Sequence, residues 1–245
     1  MPVEFDSESQ FIRWNEEMAR RYDPEDYHLR SNLLIRWIER RRVKAILRFL
    51  EASQQDSVLE VGSGAGNVLE QVREGQLYGI DLSVFLLQKS RQRTAHRQAT
   101  LIQANAESLP FANRQFRKLV CTEVLEHVVN PRRVVQEMAR VVAPEADLVI
   151  SVPNEPLINR VKRIIQALAL RRWLLQGDGN SYSSPDEMTE EWHLHTFNLR
   201  LLQEVSRGIL SIRRVQSVPF RLIPLRYVVR CQIIPSDSSD SIVVG

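Results

Sequence analysis

The sequence predicts an α/β fold built on one doubly wound sheet. Three observations predict it. Val58-Leu59-Glu60-Val61-Gly62-Ser63-Gly64-Ala65-Gly66-Asn67 reads as a buried strand, a bare glycine turn and a helix start. A second strand, Gly79-Ile80-Asp81, ends on an acid roughly 20 residues past the first. Short apolar runs then alternate with helical segments toward the end of the chain. With 245 residues, 43% of them hydrophobic, the chain can bury one sizeable core.

Residues 1–50 form an N-terminal helical cap. The first 30 read as extended and partly helical, with Phe11, Ile12 and Trp14 available to pack. Ser31 to Leu50 reads as a helix whose apolar face is Leu34, Ile38, Ile46, Leu47 and Leu50. Residues 51–234 form the main domain, which Gln54-Gln55-Asp56 leads into. Asn67, Val68, Leu69 and Val72 start a helix behind the glycine turn. Ser83 caps a helix through Ser90, Leu101-Ile102 marks the third strand, and Phe116 to Cys121 is the fourth. Asn130-Pro131 opens a helix that runs to about Val142, where Pro144 forbids continuation. Residues 153–190 are a lid-like helical insertion after the fifth strand. A helix from Leu157 to Gln176 precedes a polar linker at 177–186. Leu199 to Gly208 is a short helix, and Leu210–Val215 and Tyr227–Ile234 supply the last two strands. Residues 235–245, rich in Ser and Asp, form a disordered tail.

Two cysteines give no disulfide framework, and Cys121 sits inside an apolar strand as a small buried hydrophobe. The start of the chain is polar and acidic (Glu4, Asp6, Glu8), unlike a signal peptide. No apolar run approaches the roughly 20 residues that cross a bilayer. A cytoplasmic protein is expected. The net charge is +3, unevenly spread. One cluster is Arg36, Arg40, Arg41, Arg42, Lys44 and Arg48, opposed only by Glu39. Another is Arg160, Lys162, Arg163, Arg171 and Arg172 among apolar residues. Such segments suit amphipathic helices with arginines in water. They also suit contact with a membrane surface, a lipid-linked substrate or a nucleic-acid backbone.

The glycine turn indicates its ligand. A dinucleotide site would read G-x-G-x-x-G, whereas this turn reads G-x-G-x-G behind Glu60. A carboxylate there repels a diphosphate and suits an ammonium or a sulfonium. Asp81 stands where an acid bonds ribose hydroxyls.

This pattern resembles the class I methyltransferases that use S-adenosyl-L-methionine, from about Val58 to Asn154. Residues Gln103 to Phe111 look like the adenine loop, Leu119 to Val128 like the fourth strand and its exit, and Asp147 to Asn154 like the fifth strand. Glu123-Val124-Leu125-Glu126-His127 is similar to the small-molecule branch that includes ubiquinone-biosynthesis methyltransferases. Two departures are Asn105, where Asp is frequent, and Ala143-Pro144-Glu145-Ala146, where the turn before the fifth strand is usually glycine-rich. Asn105 still offers adenine a donor and an acceptor.

The resemblance implies a Rossmann-like fold, a doubly wound sheet of seven strands with the last antiparallel, and a set of site residues. Gly62, Ser63 and Gly64 would pack on the methionine part of the cofactor, Glu60 would hold its ammonium, and Asp81 its ribose. Leu82, Asn105, Ala106 and Glu107 would surround adenine, with Thr122, Glu123 and Val124 beneath the sulfur. His127 is the expected general base. His195, with His193 beside it, is expected to approach the acceptor. Glu123, Glu126, His127 and His195 resemble a set that holds a divalent metal in some relatives; against it, the same pattern occurs in relatives that need no metal, where Glu126 serves packing or hydrogen bonding. The implied reaction is methyl transfer to a small or lipid-like acceptor, oxygen being the first choice. A non-catalytic partner on the same fold and a nucleic-acid methyltransferase are the alternatives. A nicotinamide oxidoreductase fits worst.

Overall fold

A computed structural model of the protein describes residues 5–23, 33–167 and 191–235. The cap supplies α1 (Glu8–Arg21) and α2 (Leu33–Leu50). Then come β1 (Ser57–Val61), β2 (Gln76–Asp81), α3 (Val84–Arg93), β3 (Thr100–Gln103) and β4 (Phe116–Thr122). These are followed by α4 (Pro131–Val141), β5 (Val142–Pro153) and α5 (Glu155–Ala167). The chain continues through α6 (Leu199–Ser206), β6 (Leu210–Pro219) and β7 (Pro224–Ile233). One seven-stranded sheet has the order β3-β2-β1-β4-β5-β7-β6. Strands β1 to β5 run parallel, and β7 lies antiparallel between β5 and β6. The expected fold class, including the single reversed strand, is borne out.

Strand alternation explains the two-sided core. Leu59, Val61, Leu119, Cys121, Leu148 and Ile150 point to one face, where Val134, Val135 and Met138 of α4 cover them. Val58, Val120, Val149 and Val228 point to the other, beneath Ile46, Phe49 and Leu50 of α2. Asn130 caps α4 by accepting from the Arg133 amide at 3.0 Å, with Pro131 in the first turn. Cys121 is fully buried, and burial pushes its thiol far above the usual range.

Three expectations are corrected. The helix behind the glycine turn is a single 3-10 turn, Leu69–Gln71. Only residues 67–75 separate the turn from β2, too short a span for a crossover helix. No turn precedes the fifth strand: β5 begins at Val142, and its register jumps from Phe116–Val142 to Lys118–Asp147 through an irregularity that absorbs Ala143 to Ala146. The arginines of α2 do not all face water. Arg42 is 6% exposed. It donates to Glu39 at 2.8 Å and to the Ser151 hydroxyl of β5 at 3.3 Å. The expected linker at 177–186, Arg171, Arg172 and the tail from 236 lie outside the described residues.

Helix α1 is fastened at the sheet's carboxyl edge. Glu16 accepts from the Ser83 hydroxyl at 2.7 Å and from the Phe85 amide at 3.3 Å. Ser83 is also the N-cap of α3. Helix α1 therefore sits where the parallel strands end, whereas α2 covers a face of the sheet.

Candidate active site

The carboxyl ends of β1, β2, β4 and β5 open onto a cavity of about 460 Å³. On one wall, the first two glycines of the turn adopt left-handed backbone, φ +69° at Gly62 and +51° at Gly64. A Cβ on Gly62 would stand 2.2 Å from a Val124 methyl. A Cβ on Gly64 would meet nothing within 4 Å, so this backbone faces the cavity bare. Asp81 holds the turn in place: one carboxylate oxygen accepts from the Gly64 amide at 2.8 Å, the other from the Ser83 amide at 2.9 Å. Burial nonetheless raises its pKa to about 6.

Glu60 is 2% exposed, and burial raises its pKa to about 8. Its Oε2 has no hydrogen-bond partner. A buried carboxylate oxygen without a donor, beside an uncovered backbone, fits a ligand that brings a cationic donor. The structure places Ser63, Leu82, Asn105, Ala106, Thr122, Glu123 and Val124 along the same cavity. Asn105 donates to Glu8 of α1 at 2.9 Å and accepts from the Glu107 amide at 2.9 Å.

Glu107 departs from the expectation. It does not line the cavity, because its carboxylate accepts from the Asn130 amide at 3.0 Å and its carbonyl from Arg133 at 3.2 Å. It ties the adenine-type loop to the start of α4.

The opposite wall comes from distant segments. Glu123 is a non-glycine residue at φ +53°, a conformation that persists only when its surroundings fix it. They do. Its carboxylate accepts from the Ser151 hydroxyl at 2.7 Å and from Arg226 of β7 at 2.9 Å. Arg226 also reaches Glu39 at 3.3 Å, and Glu39 pairs with Arg42 at 2.8 Å. A buried ionic chain thus joins α2, β5, β7 and the exit of β4.

Beyond it, His127 and His193 meet edge to face at 4.7 Å, and Trp192 lies 4.8 Å from His127. The Nδ1 of His127 is 3.2 Å from the Trp192 carbonyl. Burial, and then the nearby His193, lower the His127 pKa to about 3, so this ring stays neutral. His193 differs. Its Nδ1 is 2.9 Å from Oε1 of Glu155, which is 4% exposed and also accepts from the Phe197 amide at 3.1 Å. A carboxylate at Nδ1 fixes the proton there and leaves Nε2 with its lone pair. Glu126 is 1% exposed, with an Oε2 that lacks a partner. Burial and the adjacent Glu123 push its pKa well above the carboxylate range.

The expected metal set is not assembled. Glu123 is held by Ser151 and Arg226, and His195 turns away. Its Nε2 bonds the Val128 carbonyl at 2.9 Å and approaches that of Val129 at 3.3 Å, outside the cavity lining. His193 takes its place: the ligand atoms of Glu126, His127 and His193 lie within 4.8 Å of one another, near enough to share a cation or a proton. Sequence reasoning passed over Glu155 and Arg226, which carry no local signal, and read Arg42 only as one cation of a basic helix.

Comparison with known proteins agrees with this geometry. Residues 59–150 match the family model described as a methyltransferase domain. The chain is 31% identical over 138 residues to a ubiquinone biosynthesis O-methyltransferase of Vibrio cholerae, covering 54% of this chain and 56% of that protein. It is 28% identical over 166 residues to a ubiquinone/menaquinone biosynthesis C-methyltransferase of Syntrophotalea carbinolica, covering 64% and 70%. The chain thus spans little more than half the length of the first of these relatives. The N-methyltransferase NodS from Bradyrhizobium japonicum, solved with S-adenosyl-l-homocysteine, superposes with a TM-score of 0.62 at 17% identity, covering 91% of this chain and 99% of that one. A SAM-dependent methyltransferase from Aquifex aeolicus superposes at 0.57 and 15% identity, covering 89% and 97%. The methyltransferase resemblance and the Rossmann-like fold are borne out. Among the described residues, no helix is long and apolar enough to cross a membrane.

Proposed function

We propose that this protein transfers a methyl group from S-adenosylmethionine to a hydroxyl of a small, lipid-like acceptor. The observation that carries the reading is one cavity with two unlike walls. The partnerless Glu60 oxygen, the bare Gly64 backbone and Asp81 form one; the His193–Glu155 pair stands on the other. The methyltransferase domain match supports the cofactor. When bound, the cofactor supplies an already activated methyl group on a sulfonium. Glu60 gives up its proton to hold the ammonium, and Asp81 accepts from the ribose while keeping the Gly64 amide. Leu82, Asn105 and Ala106 wall the adenine.

The acceptor wall needs to orient a hydroxyl, take its proton and exclude water. His193 takes the proton on Nε2, and Glu155 stabilises the cation that forms. His127 stays neutral and packs between His193 and Trp192. Phe11, Leu34, Ile35, Ile158, Val161 and Leu225 give the cavity an apolar lining that suits a lipid-like acceptor. The quinone-biosynthesis relatives are consistent with such an acceptor and include both O- and C-methyltransferases.

Calorimetric titration with S-adenosylmethionine and S-adenosylhomocysteine, with NADH as control, tests the cofactor half. Both sulfur compounds should bind at micromolar concentration. Asp81→Ala should weaken them at least about 100-fold, since it removes the charge-assisted hydrogen bond to the Gly64 amide and the acceptor for the ribose, each contributing about 1.5–3 kcal/mol. No binding by folded wild-type protein would refute the reading. Binding without turnover across hydroxylated prenyl-phenol acceptors would favour the non-catalytic alternative.

A further inference from the structure

Six of the eleven large apolar side chains that stand exposed among the described residues gather in two adjoining segments. Leu33, Leu34 and Trp37 lie at the start of α2; Phe220, Leu222 and Ile223 form the tip of the β6–β7 hairpin. Leu222 is 93% exposed and Leu33 80%. Trp37 and Phe220 join the segments, their ring centroids 5.5 Å apart. Single exposed apolar residues are ordinary, but a joined set marks a docking surface.

What surrounds the set identifies the occupant. The Arg41 guanidinium lies 4.9 Å above Trp37 and 5.6 Å from Phe220. Arg36, Arg40 and Lys44 are exposed along the same helix, and Arg221 at the hairpin tip. The only acid of α2, Glu39, is buried against Arg42, so the exposed face of this helix carries cations without an acid. Leu34, Ile35 and Leu225 continue the surface into the acceptor end of the cavity.

We propose that this face docks on an anionic lipid bilayer. The hairpin tip, Leu33 and Trp37 enter the interface, while Arg36, Arg40, Arg41 and Arg221 lie among the headgroups. Aromatic rings beside arginines, with leucines projecting past both, suit a boundary that is polar outside and apolar within. A nucleic-acid backbone would use the arginines but leave Leu222 and Leu33 in water. A second copy placed face to face would set these arginines against their own equivalents. Entry of the acceptor from the bilayer through Leu34 and Leu225 rests on the reaction proposed above; docking itself does not.

The test therefore reads binding without turnover. The full chain is floated with vesicles of phosphatidylcholine alone and with 30% phosphatidylglycerol, a composition chosen on the order of a strongly anionic leaflet. Binding to the anionic vesicles is expected, at least about tenfold tighter than to the neutral ones. Arg40→Gln with Arg41→Gln should weaken it about 25-fold, at about fivefold per charge. Leu222→Ser should weaken it about tenfold. Leu222 is almost wholly exposed, so its replacement should leave the melting temperature unchanged. Brominated lipid should quench tryptophan emission in the wild type and less in Trp37→Phe. Absence of flotation, or flotation indifferent to both variants, overturns the proposal. So does concentration-dependent self-association lost in Leu222→Ser, or salt-steep RNA binding lost in the arginine variant, if vesicles are not bound.

Discussion

The two walls of the cavity are built differently. The cofactor wall comes from consecutive pieces of chain: Glu60, the glycine turn and Asp81 lie at the ends of adjacent parallel strands, within about two dozen residues. The acceptor wall joins residues about a hundred positions apart, from Glu123 and His127 through Glu155 and His193 to Arg226. Local strand ends fix the first. Hydrogen bonds between distant segments fix the second, so each of its members depends on partners elsewhere. A chain can therefore keep one cofactor wall while its acceptor wall changes by small shifts of the later segments. Relatives named for O- and for C-methylation are in keeping with that.

The most demanding test of this division is His193→Ala. Loss of the proposed base should lower kcat by about 100- to 10,000-fold while cofactor affinity, measured by calorimetry, stays within about threefold. Parallel loss of both would mean that the walls are not independent. His195→Ala, two residues along the chain, should change kcat by less than about threefold, because its ring serves the Val128 and Val129 carbonyls.

A smaller effect separates the walls by pH. In the free protein Glu60 holds its proton up to about pH 8, and a cationic cofactor must displace it. Affinity should rise by up to about tenfold per pH unit below 8 and level off above it, with proton release seen across buffers of different ionisation enthalpy. The sign is opposite for the stability of the free protein. The native state keeps a proton that the unfolded state loses near 4.5, so stability falls as pH rises from there through about 8. A flat affinity profile would remove Glu60 from the cofactor wall. The weakest expected response is to chelation. Activity should survive EDTA, whereas loss restored by Mg²⁺ or Mn²⁺ would assign Glu126, His127 and His193 to a cation rather than to a proton.

The same contrast governs what could be read from the sequence. The parallel strands, the cap of α4, the glycine turn and Asp81 followed from local patterns, because glycine spacing and strand-end acids are properties of a few adjacent residues; the reversed β7 came only with the family resemblance. His127 was found because it follows a strand exit. Its neutral state and the His193–Glu155 contact were not, since both depend on Glu155 and Trp192 reaching the site from other segments. Glu107 matched its motif position but is spent on the start of α4. Arg42 was placed in water because a helix pattern shows which side is basic, not that one cation of that side has a buried acid waiting.

Helix α1 has a consequence for timing. Its Glu16 grips Ser83 at the cofactor wall, and its Asn15 meets the Trp192 indole at 3.3 Å at the acceptor wall. Phe11 and Asn15 both face the interior between them. This helix thus ties the cofactor wall to the acceptor wall without supplying an ionisable group to the cavity lining. Loosening either bond, in Glu16→Gln or Asn15→Ala, is expected to change the rates at which cofactor binds and leaves, read by stopped-flow, more than it changes any group that would touch the methyl.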